Sequence, residues 1–335
     1  MSSMLYIVGP TATGKSDLAA DVAVRLGAEI INADAFQIYE GFDVLSAKPG
    51  PNTVSKVPHH LIGAIPAAEE MSAARYRDLA LPIIADIEER EKVPLIVGGT
   101  GLYVKALTDG LADLPAADAR LRKEFDALPM EELCARLTVI DPAAGETVDL
   151  KNRRRVTRAL EVALVSGRPA SEQRLAWAKE SSRDLPGSGD VPVADLTDGR
   201  RPGNRRSLIG TNKPCDYSGV FVYRDREELY QRIDCRVETM LRQGAIEEVR
   251  EAGKLSRTAE QMIGIRQIRE YLAGRISLAE CTARIQQLTR RYAKRQLTWF
   301  RHQTNLESLN LSLLNYNEAI EWVSRRAVAG RAVND

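Results

Sequence analysis

The chain has 335 residues, 28% of them charged and 44% hydrophobic, with a formal net charge of +1 at neutral pH. That length holds two domains or one core with a large insertion, and the composition is that of an ordinary globular protein rather than a disordered or fibrous one. A net charge so near zero excludes binding of nucleic acid through global charge, so any such surface must come from local clusters.

The apolar run Leu5-Tyr6-Ile7-Val8 reads as a buried parallel strand. It leads into Gly9-Pro10-Thr11-Ala12-Thr13-Gly14-Lys15-Ser16, a match to the phosphate-loop pattern, and Ser16 opens a helix that runs to residue 26. Glycines at both ends let the backbone wrap a phosphate, successive N–H groups and a helix N-terminus face the anion, Lys15 adds a point charge, and the Ser16 hydroxyl can hold Mg²⁺. The motif points to a polyphosphate without saying which one.

A second strand over residues 29–34 delivers Asp34 at its carboxyl end, and Ala35, Phe36 and Gln37 lead on to a loop carrying Lys48-Pro49 and His59-His60. A helix over 73–90, with a kink expected at Pro82, precedes a third strand over 94–97 that ends in Gly98-Gly99-Thr100-Gly101. Polar groups at three strand ends match the ligand position of open parallel α/β sheets. Helical patterns follow at 120–127, 130–138 and 152–166. Residues 184–219, rich in Gly, Pro, Asp and Ser, read as a long mobile loop. A strand at 220–223 and helices at 226–243, 245–252, 259–273 and 277–301 complete the pattern. The expected architecture is α/β, a P-loop NTPase-like parallel sheet core over 1–113 and 205–310. A helical insertion occupies 114–204 and a C-terminal tail 311–335.

Several residues carry two readings. Asp34 suits a Mg²⁺ holder, a general base or a helix N-cap. Thr100, set among glycines, suits a hydrogen-bond donor to a ligand or a plain strand-to-helix turn. Arg226 and Arg232 can reach back to the phosphate site or form surface ion pairs with Glu227 and Glu228. Lys151, Arg153, Arg154, Arg155 and Arg158 form one basic cluster. Arg290, Arg291, Lys294, Arg295 and Arg301, interleaved with Tyr292, Trp299 and Phe300, form another. Such clusters suit an RNA backbone with stacked bases, or a solvated face. His59 and His60 point opposite ways on an extended chain and make a poor metal pair.

Cys134, Cys215, Cys235 and Cys281 are far apart and form no CxxC pair, which argues against a zinc site and for a reducing compartment. There is no apolar stretch of about 18 residues, so no membrane span is expected. The phosphate loop begins at Gly9 and leaves no room for a leader, so a cytoplasmic protein is expected.

Together these pieces resemble the tRNA dimethylallyltransferase family, the isopentenyltransferases that modify an adenosine next to the anticodon. The resemblance rests on the phosphate loop; Ala33-Asp34 with Gln37 and Tyr39; Ala47-Lys48-Pro49; Val57-Pro58-His59-His60-Leu61; Val97-Gly98-Gly99-Thr100-Gly101-Leu102-Tyr103; NRRRVTRALEV from Asn152; Leu229-Tyr230-Gln231-Arg232-Ile233; and Tyr292-Ala293-Lys294-Arg295-Gln296-Leu297-Thr298-Trp299-Phe300. It implies that the loop cradles the diphosphate of dimethylallyl diphosphate, with Mg²⁺ near Ser16. It implies that Asp34 accepts a proton from the adenine N6 amine, and that Lys15, Thr100 and Arg226, with Arg232 as a further candidate, stabilise the leaving diphosphate. By the same carry-over the anticodon stem-loop would meet Asp34, Ala35, Phe36, Gln37, Thr100, Arg122, Arg154, Arg155, Val156, Thr157, Arg158, Gln261, Met262, Ile263, Gly264, Ile265 and Arg266.

Ala35 stands where the family usually has Ser, Ser46 where Thr is usual, and Gly264-Ile265-Arg266 where Gly-Tyr-Arg or Gly-Tyr-Lys is common. No C-terminal zinc finger follows, which resembles the bacterial form, and a monomer is expected from the family. The alternatives are an adenylate isopentenyltransferase acting on AMP, ADP or ATP, a P-loop small-molecule kinase, and a non-catalytic RNA-binding ATPase.

Overall fold

Short buried apolar runs become the four central strands of one parallel sheet. In the computed structural model, which describes residues 4–112, 114–173 and 218–332, the strands are β1 (Leu5–Val8), β2 (Ala28–Ala33), β3 (His59–His60), β4 (Val93–Gly98), β5 (Ser218–Tyr223) and β6 (Glu307–Asn310). Their order is β3-β2-β4-β1-β5-β6, and every pair is parallel. Ile7 lies opposite Val97 on one side and Val220 on the other. Alternation then divides the side chains between two faces. Tyr6, Val8, Ile31 and Ile96 enter one core, while Leu5, Ile7, Ile30 and Leu95 enter the other.

The chain forms two compact units, residues 1–108 with 215–335 and residues 109–214. The loop expected at 184–219 lies outside the described residues up to 217, and residues 218–219 already belong to β5. In the first unit, α1 (Lys15–Leu26) lays Leu18, Ala19, Val22 and Ala23 on one sheet face and stops at Gly27, whose φ of 61° a side chain would strain. The opposite face is covered by α3 (Ala73–Glu89), which runs through exposed Pro82, and by α4 (Gly101–Thr108), with the four-residue α2 (Pro51–Val54) in the preceding loop. No helix among the described residues is long and apolar enough to cross a membrane.

The second unit holds α5 (Ala119–Asp126), α6 (Met130–Ile140), α7 (Ala144–Thr147) and α8 (Arg153–Ser166) around Phe125, Leu133, Leu137, Val156 and Leu160. Glu161 is fully buried there. Burial alone would raise its pKa, but hydrogen bonds from Arg122 and Arg158 and from the Asp118 N–H outweigh it, and the carboxyl lies below its usual range. Arg153 donates to the Phe125 and Leu128 carbonyls, closing the end of α5. Replacing Glu161 with Ala strands two part-buried guanidinium groups, so urea denaturation of the full chain should show a loss of roughly 3 kcal/mol. A loss below about 0.5 kcal/mol would mean that water screens the cluster.

Back in the first unit, α9 (Arg226–Arg242), α10 (Ala245–Glu251), α11 (Ile265–Leu272), α12 (Leu278–Gln303) and α13 (Tyr316–Ala332) follow β5. The single helix expected over 259–273 is instead a 3₁₀ turn at Ala259–Gln261 followed by α11. Gly264 separates them with φ of 110°, and a Cβ there would come within 2.7 Å of Leu45. A capping box between Ser277 and Glu280 starts α12.

The tail expected over 311–335 is corrected by the structure. Ala319, Ile320 and Val323 of α13 are buried in the core that α1 covers, and Tyr316 donates to Asp21. Edge strand β6, with one buried side chain, Leu309, lacks the apolar run that marks the central strands β1, β2, β4 and β5.

Candidate active site

Three chain reversals at the carboxyl ends of β1, β4 and β2 build the site. After β1 the backbone must pass between its neighbours, and Gly9 permits this: a Cβ there would lie 2.1 Å from the Val222 carbonyl oxygen. The Gly9 N–H donates to the Gly98 carbonyl. The loop closes on itself, because Thr13 Oγ1 and Lys15 Nζ both donate to the Pro10 carbonyl, at 3.0 and 3.3 Å. Gly14, with φ of 90°, caps α1 and turns the N-terminus of that helix toward the cleft.

That cleft has a volume of about 1450 Å³. Thr11, Ala12, Gly14, Lys15, Ser16, Asp34, Gln37 and Arg232 line it, so the structure brings together most of the residues expected to bind diphosphate and the expected base. Gly9, Pro10 and Thr13 shape the loop from behind. Asp34 follows β2, and its Oδ1 accepts the Phe36 N–H at 2.9 Å and the Gln37 N–H at 3.4 Å. Two backbone donors thus hold the carboxylate in one orientation.

Thr100 belongs to the same assembly without lining the cleft. Its Oγ1 accepts the Ala35 N–H at 2.9 Å, its own N–H donates to the Ala33 carbonyl, and its side chain shares a hydrogen bond with the Tyr292 hydroxyl. Burial first, and Asp34 second, push the Tyr292 phenol well above its usual value. Phe36 lies 6.3 Å from the Tyr292 ring. Gln37 donates to the Ala47 carbonyl at 2.9 Å, tying the Asp34 turn to the Lys48 loop.

Arg226 does not join the site. It is exposed and lies over the Tyr230 ring at 5.2 Å, because at the first position of α9 it faces away from the phosphate loop. The helix face that meets the loop carries Arg232 and, one turn on, Arg236. Arg232 Nε donates to the Ala12 carbonyl at 2.8 Å, and Arg236 Nη1 to Thr11 Oγ1 at 3.0 Å. Arg224, just before α9, donates to the Thr13 carbonyl at 2.9 Å. Three guanidinium groups therefore grip the loop from one side. Arg224 and Arg236 were not expected from sequence, although the four-residue spacing from Arg232 to Arg236 was a usable signal.

Charge is concentrated here. Burial lowers the Lys15 pKa to about 8, with Asp34 opposing the shift and Arg236 adding to it. Burial also lowers the Arg236 pKa, opposed by Asp34 and aided by Arg232. The folded Lys15 pKa lies below its ordinary 10.5, so its ammonium costs stability at neutral pH, a cost relieved as pH rises from about 8 to 10.5. An anion in the cleft recovers that cost. Inorganic diphosphate should therefore bind progressively more weakly above pH 8, about tenfold per unit at the steepest. Calorimetric titration across pH 7–10 checks the trend, and a flat profile would remove Lys15 from the anion site.

The expected RNA-facing residues divide by exposure. In the second unit Arg154 and Arg155 are exposed, whereas Val156 is buried, Thr157 donates to the Arg153 carbonyl, and Arg122 and Arg158 are held by Glu161. In the first unit Gln261 and Arg266 are exposed, Ile263 is half-buried, and Met262, Gly264 and Ile265 are packed inside. His59 bonds the Val57 carbonyl and His60 bonds Glu29, so the pair points to different partners.

The chain matches the family model described as IPP transferase over residues 37–303. It is 40% identical over 307 residues to tRNA dimethylallyltransferase 1 of Citrifermentans bemidjiense, covering 90% of each chain. It is also 40% identical over 308 residues to the tRNA dimethylallyltransferase of Rhodospirillum centenum, covering 90% of this chain and 88% of that one. Among solved structures, the tRNA isopentenylpyrophosphate transferase of Bacillus halodurans superposes with a TM-score of 0.68 at 29% identity, covering 100% of this chain and 99% of the other. A eukaryotic dimethylallyltransferase acting on tRNA shares the fold, with a TM-score of 0.72 at 23% identity over 98% of this chain and 78% of that one. With its phosphate loop, its carboxylate-bearing strand end and this extent of likeness, the chain belongs to the IPP transferase family, that of the tRNA dimethylallyltransferases.

Proposed function

We propose that the protein transfers a dimethylallyl group from dimethylallyl diphosphate to the N6 amine of the adenosine adjacent to the anticodon in tRNA, releasing diphosphate. The observation that carries this reading is the joining, in one cleft, of a phosphate cradle ringed by Lys15, Arg232 and Arg236 to a strand-end carboxylate, Asp34, held in one orientation by two backbone N–H groups. The named activities of the relatives support the choice of donor and acceptor.

The N6 lone pair forms a bond to the allylic carbon while the allylic C–O bond breaks, and its electron pair leaves on the diphosphate. Asp34 takes the proton that N6 sheds. Lys15, Arg232 and Arg236 meet the charge that builds on the leaving oxygen, where preorganised donors act most strongly. No phosphorus is attacked. The adenine must leave its stack to reach Asp34, and the half-buried Phe36 beside Tyr292 offers an aromatic surface next to that carboxylate.

Ser16 and Asp34 present hard oxygen donors in the cleft, while among the described residues no cluster of three or more His, Cys, Asp or Glu could hold an ion by itself. That set suits Mg²⁺, which keeps waters and binds through one or two protein oxygens together with substrate phosphates. Ser16 would hold the ion, which when bound supplies charge neutralisation on the diphosphate. Exposed Arg154, Arg155 and Arg266 would hold tRNA backbone phosphate. The reading implies a cytoplasmic enzyme acting as a monomer.

The test offers protein and Mg²⁺ labelled dimethylallyl diphosphate with tRNA bearing an A-rich anticodon loop in one tube, and with AMP, ADP and ATP in another. Label is expected in tRNA alone. Label in free nucleotide alone would overturn the acceptor assignment, and label in neither would overturn the transfer itself.

A further inference from the structure

One buried side chain of the long helix α12 touches both loops that frame the donor site. Gln296 is 5% exposed. Its Oε1 accepts the Thr11 N–H at 2.9 Å, and its Nε2 donates to the Gly99 carbonyl at 2.8 Å. A single amide thereby spans the turns after β1 and β4. Its approach explains Gly99 as well, since a Cβ there would lie 2.3 Å from Gln296 Nε2. The same helix side carries Tyr292, bonded to Thr100, and Trp299, whose ring would lie 2.3 Å from a Cβ on Gly101.

We infer that Gln296 is a positioning residue for the donor: it holds the phosphate loop in its anion-binding shape by clamping Thr11 to Gly99. The physical reason is specific. The Thr11 N–H and the Gly99 carbonyl have no register with each other in the sheet, because β1 and β4 end at Val8 and Gly98. A side chain carrying both an acceptor and a donor is required to join them, and the glutamine amide supplies both at fixed separation. Without it the loop would have to be ordered at the moment the diphosphate arrives, and the ordering cost would appear as weaker binding. The inference rests on the proposed use of this loop for a diphosphate.

The test measures inorganic diphosphate affinity with Mg²⁺ by calorimetry, thermal stability, and the KM values for both substrates. Wild type must bind diphosphate, and failure there overturns the proposed function before any variant is considered. Gln296→Met keeps length and loses both hydrogen bonds. It is expected to weaken diphosphate binding and raise the donor KM about tenfold, the scale of one net hydrogen bond, with kcat at saturating donor and the tRNA KM within about twofold of wild type.

A cycle with Gly99→Ala guards against simple misfolding. Alanine at position 99 should weaken diphosphate binding by displacing Gln296, yet add less in a Gln296→Ala background, where the 2.3 Å clash is gone and a 3.0 Å approach to the Gly9 carbonyl oxygen remains. Unchanged diphosphate affinity in Gln296→Met, or additive effects in the cycle, would overturn the inference and leave Gln296 a packing residue.

Discussion

Asp34→Asn is expected to lower kcat for transfer to tRNA by about 10³-fold while tRNA and diphosphate affinities stay within about threefold. The asparagine oxygen can still accept the Phe36 and Gln37 N–H bonds that orient the native carboxylate, so the turn is preserved and the proton acceptor is lost. Asp34→Ala removes those bonds too and should be at least as inactive, with a small additional loss of stability. Single-turnover transfer with both substrates saturating is the decisive measurement, because it separates chemistry from binding. Activity of the asparagine variant within tenfold of wild type would assign the N6 proton to another acceptor.

Arg236→Met carries the second large expected effect, a fall in kcat of about 10²–10³-fold accompanied by a higher donor KM. Arg236 lies at the cleft wall against Thr11 Oγ1, close enough to Asp34, Lys15 and Arg232 to perturb or be perturbed by their charge. A half-buried guanidinium fixed by the loop acts on developing leaving-group charge with reduced screening and little reorganisation. Arg226→Met, by contrast, removes an exposed side chain resting on Tyr230 and should leave both constants within about twofold, as surface substitutions generally do. The contrast between two arginines of the same helix is the informative part: equal losses would contradict the placement of Arg236 alone in the cleft.

The legible parts of this protein were those in which local chemistry and tertiary role coincide. Leu5 to Val8 is apolar at every position because a central parallel strand is buried on both faces, so the strand and the loop after it could be read directly. Helix α12 announces itself through its Ser277 and Glu280 capping box. Strand β6 does not, because an edge strand needs only Leu309 inside and has no periodic pattern to display. The short apolar set Ala319, Ile320 and Val323 of α13 carries a weak signal, and its partner is α1, roughly three hundred residues earlier in the chain.

Function followed the same division. By itself the sequence determined the phosphate loop, the strand-end carboxylate and the family likeness, because glycine, lysine and aspartate at those spacings answer to a local backbone geometry that few other sequences satisfy. The tertiary structure alone decided which arginines face the site. Arg226 and Arg236 sit on one helix, and only its rotation against the loop turns the second inward and leaves the first in water. It alone decided, too, that Gln296 reaches Thr11 across 285 positions of sequence. Such contacts are fixed by the packing of a helix on a sheet, an energy shared among many side chains and written in no single one of them.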